Sequence, residues 1–199
     1  LLAMKHIDTL YEFWVFLEIL EHIRKKSAYV IKTKTTNSNR LTFDYFETSI
    51  GGRTVRFHFG KDFYKEEGSI WAGQNLDPSG KTWVQPDISV TVDGKVVGAF
   101  DAKNYESDVT QKTGDEEGMA VVTRTMLGYM MNLQAPMGGL FFPHWSKKFE
   151  PMKGRGFLEF SMPIKASWIQ MEPSNDANSE KVNSDSIRLL EEQLCEFVS

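Results

Sequence analysis

The dipeptide Asp93-Gly94 constrains the fold of this chain more than any other short feature, because it separates two runs of strand-forming residues. Asp-Gly between such runs is typical of a two-residue β-turn, in which both turn residues adopt positive φ. We therefore predict a hairpin with strands over 83–92 and 95–103.

The remaining elements follow from hydrophobic periodicity. The patterns predict helices over 5–26, 116–134 and 186–198, and strands over 28–35, 41–47, 53–59, 138–143 and 157–171. In the first helix, apolar residues recur at helical spacing around most of the circumference, so we expect it to be buried on more than one side. Helices and strands in this order indicate an α/β or α+β fold.

The last part of the chain differs in composition from the rest. A polar, low-complexity segment over 172–184 predicts a linker between a folded domain of residues 1–171 and a C-terminal helix within 185–199. Ser184 or Asp185 is the expected N-cap of that helix. The chain begins with Leu-Leu rather than Met, and we expect it to be a domain of a larger protein.

Cysteine and histidine usage excludes several classes of protein. The chain has 199 residues and a single cysteine, Cys195, which excludes an internal disulfide framework and a Cys-rich zinc site. The four histidines lack the spacing of a zinc site, and no apolar run is long enough for a transmembrane helix. We therefore expect an intracellular, cytoplasmic protein that does not enter the membrane.

The predicted hairpin carries acidic residues on both of its strands. Asp87 lies on the first strand and Asp101 on the second, with thirteen residues between them. This separation is enough for two strands and a tight turn, so we expect the two carboxylates to meet near one end of the hairpin. Lys103 is two residues after Asp101 and therefore projects to the same face. In the alternative interpretation, Asp87 is a turn acid, and Asp101 and Lys103 form an ordinary exposed charge pair.

Two aspartates and a lysine on one sheet face are costly to bury without a ligand. A hard divalent cation removes this cost, because Mg²⁺ favours one or two carboxylates, a backbone oxygen and several waters. The carbonyl oxygen of Ala102 could supply the backbone ligand. Lys103 could then position or help to deprotonate a water, or stabilise charge on a phosphate.

The order Pro86-Asp87, hairpin, Asp101-Ala102-Lys103 resembles the catalytic signature of the PD-(D/E)XK, or restriction-endonuclease-like, nuclease superfamily. The resemblance implies a central mixed sheet flanked by helices, in a restriction-endonuclease-like core that binds one or two Mg²⁺ or Mn²⁺ ions and hydrolyses phosphodiester bonds. Carried over by position, Asp87 and Asp101 are the metal-binding acids and Lys103 is the catalytic lysine.

The first helix adds a second point of resemblance. Its segment 10–14 (LYEFW) is similar to the opening of nucleases that resemble the McrC subunit of modification-dependent restriction systems. This similarity implies that Glu12 is a third catalytic, metal-binding acid, in preference to Glu18 and Glu21. In the alternative interpretation, Glu12 is a solvated helix residue or a first-turn acid that the helix dipole favours.

The segment 125–143 is similar to the helix and strand that follow the active site in the same group. There the helix commonly carries Q-x-x-x-Y; Tyr129 matches the tyrosine, whereas Thr125 stands at the glutamine position. Arg124 or Gln111 could replace that glutamine. In the alternative interpretation, Tyr129 is a core aromatic residue at helical spacing.

The net charge of −4 is distributed unevenly along the chain. Residues from 172 onward contribute −5, and the preceding 171 residues contribute +1. Two basic runs could contact phosphates: Arg24, Lys25, Lys26, Lys32, Lys34 and Arg40 in the first, and Lys147, Lys148, Lys153 and Arg155 in the second. Alternatively these runs are solvated strand edges, which are often rich in lysine because its charge prevents aggregation.

Together these features predict a Mg²⁺- or Mn²⁺-dependent endonuclease that cleaves DNA in preference to RNA, in restriction, anti-phage defence or DNA processing. One alternative is an RNA endonuclease of similar architecture, such as the viral cap-snatching domains. Another is a catalytically degenerate module that binds nucleic acid or supports assembly. A homodimer, or partner domains and subunits of a larger protein, would be compatible with each function.

Overall fold

The computed structural model describes residues 2–25, 29–35, 41–61, 63, 84–104, 125–143, 158–159, 165–173 and 176–198. The strands are β1 (Tyr29–Thr35), β2 (Leu41–Ile50), β3 (Arg53–Phe59), β4 (Ile88–Val92), β5 (Lys95–Ala102), β6 (Met137–Phe142), β7 (Leu158–Glu159) and β8 (Lys165–Gln170). The helices are α1 (Leu2–Arg24), α2 (125–133) and α3 (Ala177–Val198). Residues 116–124 of the predicted second helix lie outside the described part of the chain.

The described strands form one mixed sheet in the order β1-β2-β3-β4-β5-β6-β8-β7. Each strand from β1 to β5 is antiparallel to the next of these five strands. Strands β5, β6 and β8 are parallel to one another, and β7 is antiparallel to β8. Parallel neighbours need a crossover connection, and α2 lies in the connection between β5 and β6. The predicted mixed sheet with flanking helices is confirmed.

One face of the sheet forms the main core with α1 and α3. Phe16 and Ile19 of α1 and Leu190 of α3 are buried there, in one cluster with Phe57 and Phe100 of the sheet. The opposite face carries a smaller apolar cluster, in which Leu133 of α2 packs with Val96 and Ala99 of β5. Helices therefore cover both faces of the sheet.

α1 is buried on one side only. Val15, Phe16 and Ile19 are completely buried, whereas Leu10 is 66% exposed and Leu17 44% exposed. The prediction that this helix is buried on more than one side is therefore wrong at these positions. Periodicity reports that a side chain is apolar, but only the positions of the other elements decide which apolar side chains are covered. Among the described residues, no helix is long and apolar enough to cross a membrane.

The hairpin between β4 and β5 has the predicted turn. Asp93 has φ 49° and Gly94 has φ 85°, as a two-residue turn of this type requires. Asp93 also stabilises the neighbouring turn, because its Oδ1 accepts a hydrogen bond from the Thr54 N–H at 3.0 Å and its Oδ2 from Arg53 Nε at 2.8 Å. The pairing register shifts between Val90 and Thr91, so β5 contains a bulge opposite this point.

α3 begins earlier than the sequence predicts. Oδ1 of Asp176 accepts hydrogen bonds from the N–H groups of Asn178 and Ser179, both at 2.9 Å, and is therefore the N-cap. The predicted caps Ser184 and Asp185 are wrong, and residues 177–184 are helical rather than a linker.

Buried polar side chains explain this error. Ser179 Oγ donates to Glu172 Oε2 at 2.8 Å, and Asn183 Nδ2 donates to the Glu172 carbonyl at 3.0 Å. The first turns of α3 thus face the protein with polar groups that are satisfied by hydrogen bonds. Hydrophobic periodicity does not indicate a helix whose buried side chains are polar.

Candidate active site

Asp87 and Asp101 lie on neighbouring strands on the same face of the sheet. Asp87 directly precedes β4. Because Ile88 pairs with Phe100, the same register places Asp87 beside Asp101. The Ala102 N–H donates a hydrogen bond to Asp87 Oδ2 at 2.8 Å. This bond holds the Asp87 carboxylate against the end of β5, as the hairpin prediction requires.

Lys103 contacts both carboxylates. Its Nζ lies 2.7 Å from Asp101 Oδ2 and 3.4 Å from Asp87 Oδ2. Asp101 Oδ2 lacks a hydrogen bond of acceptable geometry, so its short contact with the ammonium is an ion pair. The backbone of Lys103 is fixed as well, because its N–H donates to the Phe141 carbonyl of β6 at 2.9 Å. Asp87, Asp101 and Lys103 are thus brought together as the sequence predicts.

Burial changes the protonation of this group. The Asp101 side chain is only 2% exposed, against 18% for Asp87 and 27% for Lys103. Desolvation, together with the hydrogen bond and charge of Asp87, raises the pKa of Asp101 to about 8, although the Lys103 charge opposes this shift. Burial alone would lower the pKa of Lys103, but the charges of Asp101, Asp87 and Glu12 outweigh it and raise that pKa above its ordinary value.

The donor set of this site fits a hard divalent cation. Two carboxylates face one ammonium, which leaves excess negative charge in a poorly solvated place when both acids are ionised. In a strand, the N–H and C=O of one residue point to the same edge. Because the Ala102 N–H points to Asp87, the Ala102 carbonyl also points to that side. Oxygen donors of these kinds are those that Mg²⁺ and Mn²⁺ prefer.

Within the part of the chain that the structure describes, no third acidic ligand joins the pair. Among the described residues, no three His, Cys, Asp or Glu side chains are grouped closely enough to hold a metal ion. The charge of Glu12 nevertheless contributes to the raised pKa values of Lys103 and Tyr129. Glu12 therefore lies near the site, without completing a three-carboxylate cluster.

The two other candidate acids of α1 lie elsewhere. Glu18 and Glu21 line a groove of about 460 Å³ between α1 and α3, together with Glu180 of α3. Burial is the main reason that the pKa of Glu18 is raised, and Glu21 and Glu180 add to it. Glu12 is thus the candidate acid of α1 whose charge contributes to the raised pKa of Lys103.

Tyr129 has two environments. It packs against the apolar cluster that contains Phe63, Ala99 and Leu133. Its pKa is raised, first by burial and then by the charges of Asp101 and Asp87. Tyr129 is therefore both a packing residue and a neighbour of the acid pair. Thr125 is exposed one helical turn earlier, and Arg124 and Gln111 lie outside the described residues.

The described basic residues of the first predicted run lie on elements away from this site. Arg24 lies about 18 Å along α1 from Glu12, and its Nη2 pairs with Glu21 Oε1 at 2.6 Å. Lys25 is exposed at the end of the same helix, and Lys32 and Lys34 lie on the edge strand β1. The others lie outside the described part of the chain: Lys26, Arg40, Lys147, Lys148, Lys153 and Arg155.

One segment beside the site is not predicted by the sequence patterns. Phe63 and Val84 form an isolated antiparallel bridge that extends the pairing of β3 with β4 beyond Asp87. The ammonium of Lys61 lies 4.8 Å from the centroid of the Phe63 ring. The surrounding residues are rich in Gly, Asp, Pro and Ser, and this composition conceals a single apolar bridge.

Comparisons with protein-family models, with curated proteins and with solved structures gave no match. Function is therefore inferred from the geometry and chemistry of the Asp87–Asp101–Lys103 group. The flanking residues Glu12, Ala102 and Tyr129 add to that chemistry.

Proposed function

We propose that this chain is a Mg²⁺- or Mn²⁺-dependent nuclease that hydrolyses phosphodiester bonds. The observation that carries the proposal is the convergence of Asp87, Asp101 and Lys103, whose ammonium lies within 3.4 Å of both carboxylates. Three charged side chains at a half-buried position are difficult to explain as a stabilising feature, because their desolvation costs free energy. The mixed sheet with flanking helices agrees with what the PD-(D/E)XK resemblance implies.

Each residue has a proposed role. Asp87, Asp101 and the Ala102 carbonyl would hold the metal, which would supply charge neutralisation and activation of water. Lys103 would orient the attacking water or compensate the charge that develops on the scissile phosphate. Glu12 acts through its charge on Lys103, and Tyr129 packs beside the acids.

The test is cleavage of plasmid, single-stranded DNA and RNA substrates with Mg²⁺ or Mn²⁺. We expect the unaltered protein to cleave DNA, and we expect both Asp101→Ala and Lys103→Ala to abolish cleavage. Lys95→Ala, at the turn end of the same hairpin, is the matched control and should remain active. Equal activity in all four proteins would eliminate the proposal.

We infer a biological role and setting from the same features. Restriction, anti-phage defence and DNA processing each require a nuclease of this kind, and a homodimer or partner domains would supply further contacts to nucleic acid. A cytoplasmic setting accords with the presence of a single cysteine, Cys195, in the sequence. A preference for RNA in the cleavage assay would instead favour the RNA endonuclease.

A second candidate is a degenerate module that binds nucleic acid or supports assembly without catalysis. It is favoured by the absence of a three-acid metal cluster among the described residues, and by Thr125 at the glutamine position. Calorimetric titration with Mn²⁺ separates the two candidates. Binding that is lost in Asp101→Asn supports the nuclease, whereas no binding to the unaltered protein supports the degenerate module.

A further inference from the structure

Phe13 of α1 lies at the edge of the sheet where the acid pair is located. Phe59 is the last residue of β3 and pairs with Ile88, which directly follows Asp87. The rings of Phe13 and Phe59 are in contact, with their centroids 5.4 Å apart. Gly60 continues the same pairing, because its N–H donates a hydrogen bond to the Asp87 carbonyl at 2.8 Å. The Phe13 ring is therefore held next to the strand ends at which Asp87 lies.

The position of Phe13 on α1 leads to the same place. Phe13 directly follows Glu12, whose charge contributes to the raised pKa values of Lys103 and Tyr129. Consecutive residues of a helix point about 100° apart, so Glu12 and Phe13 project from one turn to neighbouring positions at this edge. Two separate sets of contacts, one through Phe59 and one through Glu12, thus place Phe13 beside the candidate active site.

The Phe13 ring is both fixed and accessible. Its plane is inclined at 69° to that of Phe59, which is an edge-to-face arrangement. In this arrangement one ring presents its edge and the other its face, so Phe59 covers no more than one face of Phe13. Phe59 is itself held by Phe16, a completely buried residue whose ring centroid is 5.4 Å away. Phe13 is nevertheless 38% exposed, and among the described residues no other aromatic ring contacts it.

An aromatic ring at this position differs from the other exposed apolar side chains of α1. In the described part of that helix, these side chains are Ile7, Leu10, Phe13 and Leu17. The other three are aliphatic and have no π face. Unpaired nucleobases stack on aromatic rings, whereas the bases of a duplex already stack on one another and must be extruded before they can do so. The Phe13 ring is thus suited to an unpaired base of a strand whose phosphate lies at the acid pair.

We propose that Phe13 binds the substrate by stacking on an unpaired base close to the scissile phosphate, and that the preferred substrate is therefore single-stranded DNA. This inference rests on the proposed nuclease function and adds the substrate class to it. The contact carries no base preference, because every base has a π face. The substrate strand runs from Asp87 and Asp101 across the end of β3 to Phe13.

The test compares the binding of labelled single-stranded DNA and of the duplex of the same sequence, in an Asp101→Asn background that prevents cleavage. We expect Phe13→Ala to weaken binding of the single strand by about 5- to 100-fold, as loss of one stacked base does. Binding of the duplex should not change, because its bases are not available to the ring. Phe13→Tyr should keep most of the affinity because it keeps the ring, whereas Phe13→Leu should bind almost as weakly as Phe13→Ala.

Leu17→Ala is the matched control. Leu17 is 44% exposed on the same helix and lies about 6 Å further along the axis from Phe13, on the side away from Glu12. Its removal takes away a similar apolar surface without removing a ring. We expect this variant to bind the single strand as tightly as the background protein.

Abasic substitutions locate the contact on the strand. When single abasic sites are placed along the strand in turn, we expect one position close to the cleaved bond to lower the affinity of the protein that retains Phe13. In Phe13→Ala, the same abasic site should have no further effect. If Phe13 only stabilised α1, its replacement would weaken binding of every strand equally and would leave the abasic effect in place.

The outcomes separate this inference from the proposed function. If the unaltered protein with Mn²⁺ cleaves none of the substrates, the nuclease function is wrong. If it cleaves, but Phe13→Ala binds the single strand normally or Leu17→Ala shows the same loss, the role of Phe13 is wrong. A change in oligomeric state with unaltered DNA binding in Phe13→Ala would instead assign this side of α1 to a protein interface. If Phe13→Ala does not fold, an abasic series without effect on the protein that retains Phe13 still refutes the inference.

Discussion

Lys103 Nζ lies 2.7 Å from Asp101 Oδ2, and the Asp101 side chain is 2% exposed while that of Lys103 is 27% exposed. The Asp101 carboxyl group is therefore buried, whereas the Lys103 side chain is partly exposed to solvent. The ion pair offsets only part of the cost of burying the carboxylate, because Asp87 adds a second negative charge beside it. Because of this remaining cost, we expect the free energy of unfolding to depend on the protonation of Asp101.

The first prediction concerns the pH dependence of stability. In the metal-free protein, the pKa of Asp101 is raised from an ordinary value near 4 to about 8. The folded state then binds more protons than the unfolded state between these values, so the free energy of unfolding falls as pH rises through this window. We expect a loss on the order of 3 kcal/mol between pH 5 and pH 8 that is absent in Asp101→Asn. Urea unfolding in EDTA measures it.

Comparison with the variant isolates the contribution of Asp101 from that of other titrating groups. Both proteins contain the same remaining acids and histidines, so the difference between their two curves reports the single carboxyl group. Parallel curves from pH 5 to pH 8 would show that the folded state does not raise the pKa of Asp101.

The second prediction concerns Lys103. Lys103→Gln removes the cation that separates the two aspartates, so we expect cleavage to fall by about 10²-fold or more. In EDTA at pH 8.5 the variant should also be less stable, by roughly 2 kcal/mol, since Asp101 must then either bind a proton or lie beside Asp87 without a compensating cation. Denaturant unfolding of the variant with and without Mn²⁺ measures the stability of its metal-bound and metal-free forms, and we expect Mn²⁺ to restore stability.

Lys95→Gln provides the comparison for this experiment. Lys95 is exposed at the turn end of the hairpin, and its loss should change neither cleavage nor stability by a measurable amount. A Lys103→Gln protein that behaves like Lys95→Gln would mean that the ammonium does not compensate the aspartates.

The third prediction distinguishes the acids of α1. The charge of Glu12 acts on Lys103 and Tyr129, so Glu12→Gln should lower cleavage by about 10- to 100-fold, as loss of an outer partner of a metal site does. Glu18 lies in the groove between α1 and α3, and Glu18→Gln should leave cleavage unchanged. Steady-state cleavage assays measure the two variants. Comparable losses of cleavage in Glu12→Gln and Glu18→Gln would show that these substitutions act by destabilising α1 and not by changing the site.

The fourth prediction concerns the packing of α2 beneath the site. A Cβ atom added at Gly138 of β6 would lie 2.4 Å from Met130 Sδ and 2.8 Å from the Ala99 carbonyl oxygen. Gly138→Ala should therefore destabilise the protein by about 1–3 kcal/mol, because β6 and α2 must separate. Thermal unfolding measures this loss, and cleavage should fall with it because Tyr129 moves with α2.

Gly128, on α2 itself, is the matched control. A Cβ at Gly128 meets nothing within 4 Å, so Gly128→Ala should stabilise the protein by about 0.8 kcal/mol through helix propensity. If Gly138→Ala were as stable as Gly128→Ala, the close contact between α2 and β6 would be refuted.

Local patterns were sufficient for the central hairpin. The turn at Asp93-Gly94 was predicted because its conformation depends on the two residues themselves, and the structure confirms it. Alternation along β5 likewise predicted that Asp101 and Lys103 share a face. These features depend on neighbours within a few residues, and a sequence displays them directly.

Features that depend on distant parts of the chain were predicted less well. α3 begins at Ala177 because Asp176 caps it and because Glu172 satisfies Ser179 and Asn183. The exposed apolar side of α1 and the position of Gly60 beside Asp87 were likewise not predictable from periodicity. Each of these depends on which elements pack together.

The hairpin, the mixed α and β character of the chain and the types of residue in the candidate site can be read from the amino-acid sequence alone. The burial of Asp101, the partial exposure of Lys103, the effect of the Glu12 charge on Lys103 and the pairing of Gly60 with Asp87 follow from the packed structure. Turn conformation and strand alternation are local properties of the backbone. Burial and electrostatic coupling depend on contacts between residues that are distant in sequence.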